Sequence, residues 1–181
     1  MMKATGIVRR IDDLGRVVIP KEIRRVMRIR EGDPLEIFTE KNGEVIFKKY
    51  SSVGELTESA GIFADTLCRV LGNTVAVTDK DSVITVSGPR RRELEEHHLS
   101  QEAEEQMQQR RPYVYRVGGG RLRAVNGAEA CFAGILVPLI CSGDLIGSFL
   151  VLLPESGAVP SEADVKVVSS SAQLFVRQLE M

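Results

Sequence analysis

The chain has 181 residues, of which 43% are hydrophobic and 27% charged, and its formal net charge is −1. That length bounds it to one or two domains, and that composition excludes a disordered or fibrous chain. No stretch approaches the roughly 20 apolar residues of a membrane span, and no apolar signal core opens the sequence.

The near-neutral total conceals an asymmetry. Residues 1–30 carry nine basic side chains: Lys3, Arg9, Arg10, Arg16, Lys21, Arg24, Arg25, Arg28 and Arg30. Only Asp12, Asp13 and Glu22 oppose them, which leaves +6. Residues 51–181 carry 12 basic and 17 acidic groups, or −5. A basic head on an acidic body points to a polyanion partner for the head, with DNA the best fit.

The head reads as strand, turn, strand, helix, strand, turn, strand. Ile7, Val8 and Ile11 fit a short strand, Asp12 to Gly15 a turn, and Val17 to Ile19 a β-branched strand. Pro20 suits the first position of a helix over 20–28. Ile23, Val26 and Met27 form its apolar stripe. Residues 35–39 and 44–48 flank Asn42-Gly43, a hairpin signal for a type I′ turn. About 50 residues in such short elements cannot bury enough apolar surface alone. An obligate dimer with an interwoven core solves the shortage.

Residues 50–54 mark a boundary, giving a head of 1–52 and a body of 53–181. Ser52 and Glu55 have capping-box spacing for a helix over 53–71. Strands follow near 74–78 and 82–87, joined by Asp79-Lys80-Asp81. Residues 90–110 read as helical, with Ser100 as a cap. Further strands fall near 113–117, 132–139 and 145–153, the last two joined by Ser142-Gly143-Asp144. Ser161 and Asp164 open a final helix that runs to Met181. The pattern is α+β with an antiparallel sheet and flanking helices.

Cys68, Cys131 and Cys141 have no C-x-x-C spacing and read as buried thiols in a reducing cytoplasm. No metal site or resident cofactor is expected. His97-His98 has no ligand spacing and reads as exposed. Tyr113 and Tyr115 read as packing residues. No metalloprotease, nucleophile-elbow, phosphate-loop or paired-carboxylate motif is present, so a turnover activity is not expected.

Residues 3–25, from Lys3 through Arg10-Ile11-Asp12-Asp13-Leu14-Gly15-Arg16 to Ile23-Arg24-Arg25, closely resemble the AbrB-type transition-state regulators of spore-forming bacteria. Gly32 to Ile37 and Lys48-Lys49-Tyr50 fit as well. The resemblance implies a swapped-hairpin β-barrel, formed by dimerisation, that binds double-stranded DNA. In that family, arginines of the first strand, the following turn and the short helix contact DNA. The matching positions here are Arg9, Arg16, Arg24 and Arg25, with Arg10 and Lys21 adjacent. Guanidinium groups grip phosphates bidentately and can read guanine edges. The head has no aromatic residue before Phe38, so stacking on single strands fits poorly. Backbone-dominated contact implies a loose, A·T-tolerant consensus.

The body resembles a GAF sensor domain, with Val125-Asn126-Gly127 before a core strand. The two parts in this order resemble the SpoVT–AbrB family of sporulation regulators. That implies a nucleoid-associated cytoplasmic protein that activates and represses genes of the developing forespore. GAF domains often hold a small molecule, and Arg121, Arg123 and Asn126 lie on a loop suited to line a pocket for an unassigned effector. Two amphipathic helices flanking one sheet imply a second, helix-mediated interface and hence a homotetramer, with Leu56 and Phe175 as outward positions. An alternative from another class is an antitoxin-like DNA-binding module whose body binds a partner protein.

Overall fold

The computed structural model describes residues 6–180. Lys3 of the basic head and Met181, the expected end of the last helix, lie outside the described residues. The chain divides into two compact units, Met1–Tyr50 and Ser51–Met181.

The first unit contains a short helix, α1 (Lys21–Val26), and a hairpin of β1 (Leu35–Thr39) and β2 (Val45–Lys49). Leu35 pairs with Lys49 and Thr39 with Val45. Its turn is not type I′. Glu40 N donates to Glu44 O at 3.0 Å and Gly43 N to Glu40 O at 3.0 Å. Of the two central residues only Gly43 has a positive φ, +86°. This is a type I turn closed by a left-handed glycine, the three-residue alternative. Helix α1 is shorter than expected, and Pro20 sits before it as the cap residue, with ψ 149°.

The segments around Ile7–Ile11 and Val17–Ile19 form no strand here. A strand exists by its ladder, and neither segment takes part in one of the ladders of this structure. Their side chains show the consequence. Val8 is 86% exposed, Val18 71% and Val26 of the helix stripe 76%. No residue from Gly6 to Tyr50 is buried.

The second unit has the opposite character. Helices α2 (Ser52–Glu55) and α3 (Thr57–Leu71) lead into β3 (Val75–Thr78) and β4 (Val83–Ser87). Short helices α4 (Arg91–Leu94) and α5 (Gln101–Gln108) follow. Then come β5 (Tyr113–Val114), β6 (Ala133–Cys141), β7 (Asp144–Leu152) and α6 (Glu162–Leu179). The sheet order is β4-β3-β7-β6-β5, with every pairing antiparallel.

Several local expectations shift by a residue or a turn. The first body helix breaks at Leu56, and its cap is Ser51, whose Oγ accepts from Gly54 N at 3.0 Å. The charged stretch 90–110 splits into α4 and α5. Ser100 caps α5 as expected, its Oγ accepting from Ala103 N at 3.0 Å. The type I′ turn appears instead at Ser142-Gly143, with φ +48° and +87°, between Cys141 and its partner Asp144. The Ser161–Asp164 capping box forms in full.

Each sheet face has its own core. Helices α3 and α6 cover one face, where Ala60, Ala64, Leu67, Val168, Ala172 and Phe175 pack on Val75, Val77, Ile135, Val137, Leu139, Phe149 and Val151. Phe63, Phe149 and Phe175 form an aromatic triad, with Phe63 and Phe175 edge to face at 5.5 Å. Phe175 is therefore fully buried, not outward. Its expected exposure fails because α6 turns that side of its stripe onto the sheet. Helices α4 and α5 and the loop before β6 cover the other face with Leu94, Leu99, Met107, Ala124 and Val125. No helix among the described residues is long and apolar enough to cross a membrane.

Candidate nucleic-acid interface

The first head turn is built like the second. Asp12 N donates to Arg16 O at 3.0 Å and Gly15 N to Asp12 O at 3.0 Å, with Gly15 at φ +75°. The Asp12 side chain completes it. Its Oδ1 accepts from Leu14 N at 3.0 Å and Arg16 N at 2.7 Å. Its Oδ2 accepts from Arg16 Nε at 2.8 Å. These bonds hold the Asp12 carboxyl below its ordinary range, chiefly through the Arg16 backbone N–H and then the Arg16 guanidinium. The Arg16 side chain stays 70% exposed, held at one end and open at the other.

Arg9 and Arg10 precede this turn, and both are exposed. Lys21, Arg24 and Arg25 project from α1 and are exposed as well. Helical spacing puts Lys21 beside Arg24 and Arg25. Arg24 N donates to Pro20 O at 3.0 Å and Ile29 N to Arg24 O at 2.7 Å, so the helix backbone is closed at both ends. Arg28 takes a left-handed φ of +52° where the helix ends. Beyond it, Lys49 Nζ bonds Arg28 O at 3.1 Å and pairs with Asp33 at 3.3 Å, tying the helix exit to β2. The six expected basic residues thus fall on a turn, the segment just before it and a helix of one unit, all solvent-facing. Sequence reasoning does not reach the role of Asp12 beyond the turn. Its signal in the sequence is an aspartate four residues before an arginine across a glycine turn.

The expected ligand residues of the body are placed differently. Asn126 Nδ2 donates to Leu99 O at 2.8 Å and Asn126 N to His98 O at 2.9 Å, so this side chain fixes its own loop. Arg121 is exposed and lies over the Phe132 ring, 5.5 Å from its centroid. Arg123 is exposed, and its backbone N–H donates to Glu102 Oε2 at 3.0 Å. None of the three lines the cleft beneath α6 or the one beside Arg90.

A further cluster carries no sequence motif. Arg90 binds Glu93 through Nε at 2.9 Å and through a second nitrogen at 2.6 Å. The same guanidinium reaches Cys131 Sγ at 3.3 Å, and Cys131 Sγ lies 3.3 Å from Glu93 Oε2. The Arg90 bond holds the Glu93 carboxyl down to about 2. Burial, then the Glu93 contact, pushes the Cys131 thiol up to about 11. Of the three cysteines only Cys131 is buried; Cys68 and Cys141 are half-buried at the helix and strand margins. No group of acidic, histidine and cysteine side chains among the described residues could hold a metal ion.

Comparison with known proteins agrees with this two-part layout. Residues 55–180 match the family described as stage V sporulation protein T C-terminal, transcription factor. Residues 8–55 match a family described as antidote-toxin recognition MazE, bacterial antitoxin. The chain is 44% identical over 180 residues to stage V sporulation protein T of Bacillus subtilis (strain 168), covering 99% of each. Over 49 residues it is 57% identical to the transition state regulatory protein AbrB of the same organism, covering 27% of this chain and 50% of that one. A GAF domain/HD domain protein from Geobacter sulfurreducens superposes with a TM-score of 0.53 at 14% identity, over 74% of this chain and 99% of that one, which shows a shared GAF fold. With a family match spanning most of its length and a full-length relative at this identity, the chain belongs to the stage V sporulation protein T family of transcription factors.

Proposed function

We propose that the chain is a DNA-binding regulator that activates and represses forespore genes, with a DNA-gripping head of residues 1–52 and a GAF body of 53–181. The observation that carries this reading is the exposed set Arg9, Arg10, Arg16, Lys21, Arg24 and Arg25, on a turn, the segment before it and a helix, all within the residues 8–55 that match the MazE-type family. Acids in that segment are few, so the guanidiniums remain available to phosphates and base edges.

The head works as a swapped-hairpin dimer. Support comes from the apolar side chains that one chain leaves uncovered, Val8, Ile11, Val17, Val18, Val26 and Ile37 among them. Burying a fully exposed side chain of this kind is worth roughly 1.5–3 kcal/mol, and these gain in proportion to the part still exposed, which together drives association with a second copy. The body joins two head dimers into a tetramer through its helices. It also receives a small-molecule effector, with the loop bearing Arg121, Arg123 and Asn126 as the contact region. An effector shifts regulation only if it binds two arrangements of the bodies unequally. The protein works in the cytoplasm at the nucleoid and acts by binding rather than by turnover.

The MazE-type match favours a second reading for the head alone, that of an antitoxin module. Antitoxin heads of this kind usually carry a short disordered tail, whereas this chain carries a folded body.

The deciding experiment is promoter binding by the full-length protein over a salt series. R24A/R25A should abolish site-specific binding and lower the salt slope of log K by about 0.9 for each phosphate that is no longer gripped. Unchanged affinity in that variant removes α1 from the site. Copurification of a toxin, with no promoter binding, favours the antitoxin reading.

A further inference from the structure

The body is acidic as a whole, yet between Glu105 and Glu129 it has five arginines and no acidic residue. The fold gathers this segment at one edge of the sheet. Arg110 and Arg111 precede β5, which is the edge strand. Arg116, Arg121 and Arg123 follow it on the loop leading to β6. Hydrogen bonds tie that loop to β5 and to the start of β6. Tyr113 Oη donates to Gly120 O at 3.0 Å, Gly119 N to Arg116 O at 3.0 Å, and Ala133 N to Leu122 O at 2.8 Å.

Arg110 is engaged by Gly143 O at 2.7 Å. Arg111, Arg116, Arg121 and Arg123 are exposed, and none forms an ion pair among the described residues. The contrast with the preceding stretch is direct: Arg90 and Arg91 are each gripped by a carboxylate, Glu93 and Glu95. The contact of Arg121 with the Phe132 ring, at 5.5 Å, brings no opposing charge to the guanidinium and leaves its positive charge for an anion.

We propose that this arginine edge is a second DNA-contacting surface, one that grips phosphodiester groups without reading bases. The four guanidiniums lie along an exposed strand edge and loop, not around an enclosed cavity. That layout suits a ligand with successive phosphates better than one small anion. The net −5 of the body does not cancel it, because exposed charges beyond about 8–10 Å are largely screened at physiological salt; Glu102, whose Oε2 accepts from the Arg123 backbone N–H at 3.0 Å, lies against the loop and offsets part of its charge. The proposal rests on the reading of the chain as a DNA-binding regulator and deepens the role of the Arg121–Arg123 loop.

The test uses the full-length protein and a duplex of about 40 base pairs with random sequence, titrated across a salt series. R116A/R121A/R123A should weaken binding at least about tenfold at low salt and lower the slope of log K against log salt by about two to three. R116Q/R121Q/R123Q should do the same, which separates charge from packing, and thermal unfolding should match the unaltered protein. Site-specific footprints made by the head should persist. An unchanged slope in both triple variants overturns the proposal and leaves the head assignment standing. An unchanged slope in R24A/R25A counts against the head assignment and leaves this one. If the triple variants lose binding of tripolyphosphate but keep the DNA slope, the edge is a small-polyphosphate site and the DNA proposal fails.

Discussion

Asp12 holds Arg16 at three points: the arginine's backbone N–H at 2.7 Å, its Nε at 2.8 Å, and a turn closed by the Arg16 carbonyl. The acid is thus a positioning residue for a cation that faces solvent. Asp12→Ala separates two physical readings. Charge counting predicts tighter DNA binding, because a negative charge leaves a polyanion-binding head. Positioning predicts weaker binding, because a free arginine loses rotamer entropy when it grips. We expect positioning to win, with affinity lowered about threefold to tenfold at low salt. Tighter binding by the variant, measured by anisotropy, would show that the lost charge outweighs positioning and overturn the positioning role of Asp12. The depressed carboxyl gives the pH sign. Its contribution is complete above the ordinary aspartate range and is lost as pH falls through the lowered folded value. The turn therefore stays intact at neutral pH.

The head fragment makes a second test. Residues 1–52 alone should be dimeric by sedimentation and should bind DNA more weakly than the full chain, because the fragment loses avidity. The reason is the absence of any buried residue from Gly6 to Tyr50 in one chain. A folded monomer of this fragment would sink the interwoven-barrel proposal.

Periodicity makes the body more legible than the head. Val75, Val77, Phe149 and Val151 alternate as strand cores must, and the Ser161–Asp164 box marks a helix start that the fold adopts. Turn type is less legible. Asn42-Gly43 and Ser142-Gly143 both pair a small polar residue with glycine, yet only the second adopts the type I′ geometry. Register decides between them, since Glu40 pairs across three residues whereas Cys141 pairs across two. Phe175 falls on the buried side because a helical stripe does not say which of its residues face a sheet and which a neighbour. Gly147 carries no signal at all. Its backbone runs so close to Thr78 O that a Cβ would collide there, a constraint set by the β3–β7 pairing. In the head, the basic pattern is legible, but the strands expected at 7–11 and 17–19 are not formed here, because alternation alone does not supply a ladder.

The Arg90–Glu93–Cys131 cluster predicts two pH windows of stability. Glu93 has its folded value lowered to about 2. Its contribution is present above its ordinary value and is lost as pH falls toward 2. Cys131 has its folded value raised to about 11. Its contribution is present below the ordinary thiol value and is lost as pH rises toward 11. Urea unfolding at acid pH should depend less on pH in Glu93→Gln, and at alkaline pH less in Cys131→Ala. The native Cys131 thiol should also react more slowly with iodoacetamide than Cys68 or Cys141. Fast, selective alkylation of Cys131 would contradict its burial and its pairing.

The body helices carry the last prediction. On α3, Ile62 is 62% exposed and Val70 63%; on α6, Leu174 is 58% exposed. These apolar residues lie on the sides of the helices turned away from the sheet that Phe175 and Leu67 cover. Burying them against a second body is the helix-mediated interface that would join two head dimers. Aspartate at Ile62 and at Leu174 places charge in that interface without touching the core. The doubly substituted protein should fall from tetramer to dimer by light scattering, while its thermal unfolding stays near that of the unaltered chain. It should bind a single short site almost normally and lose tight binding to long DNA with several sites, because linked heads gain from effective concentration. A dimeric unaltered protein, or a variant that stays tetrameric, would refute the two-interface assembly.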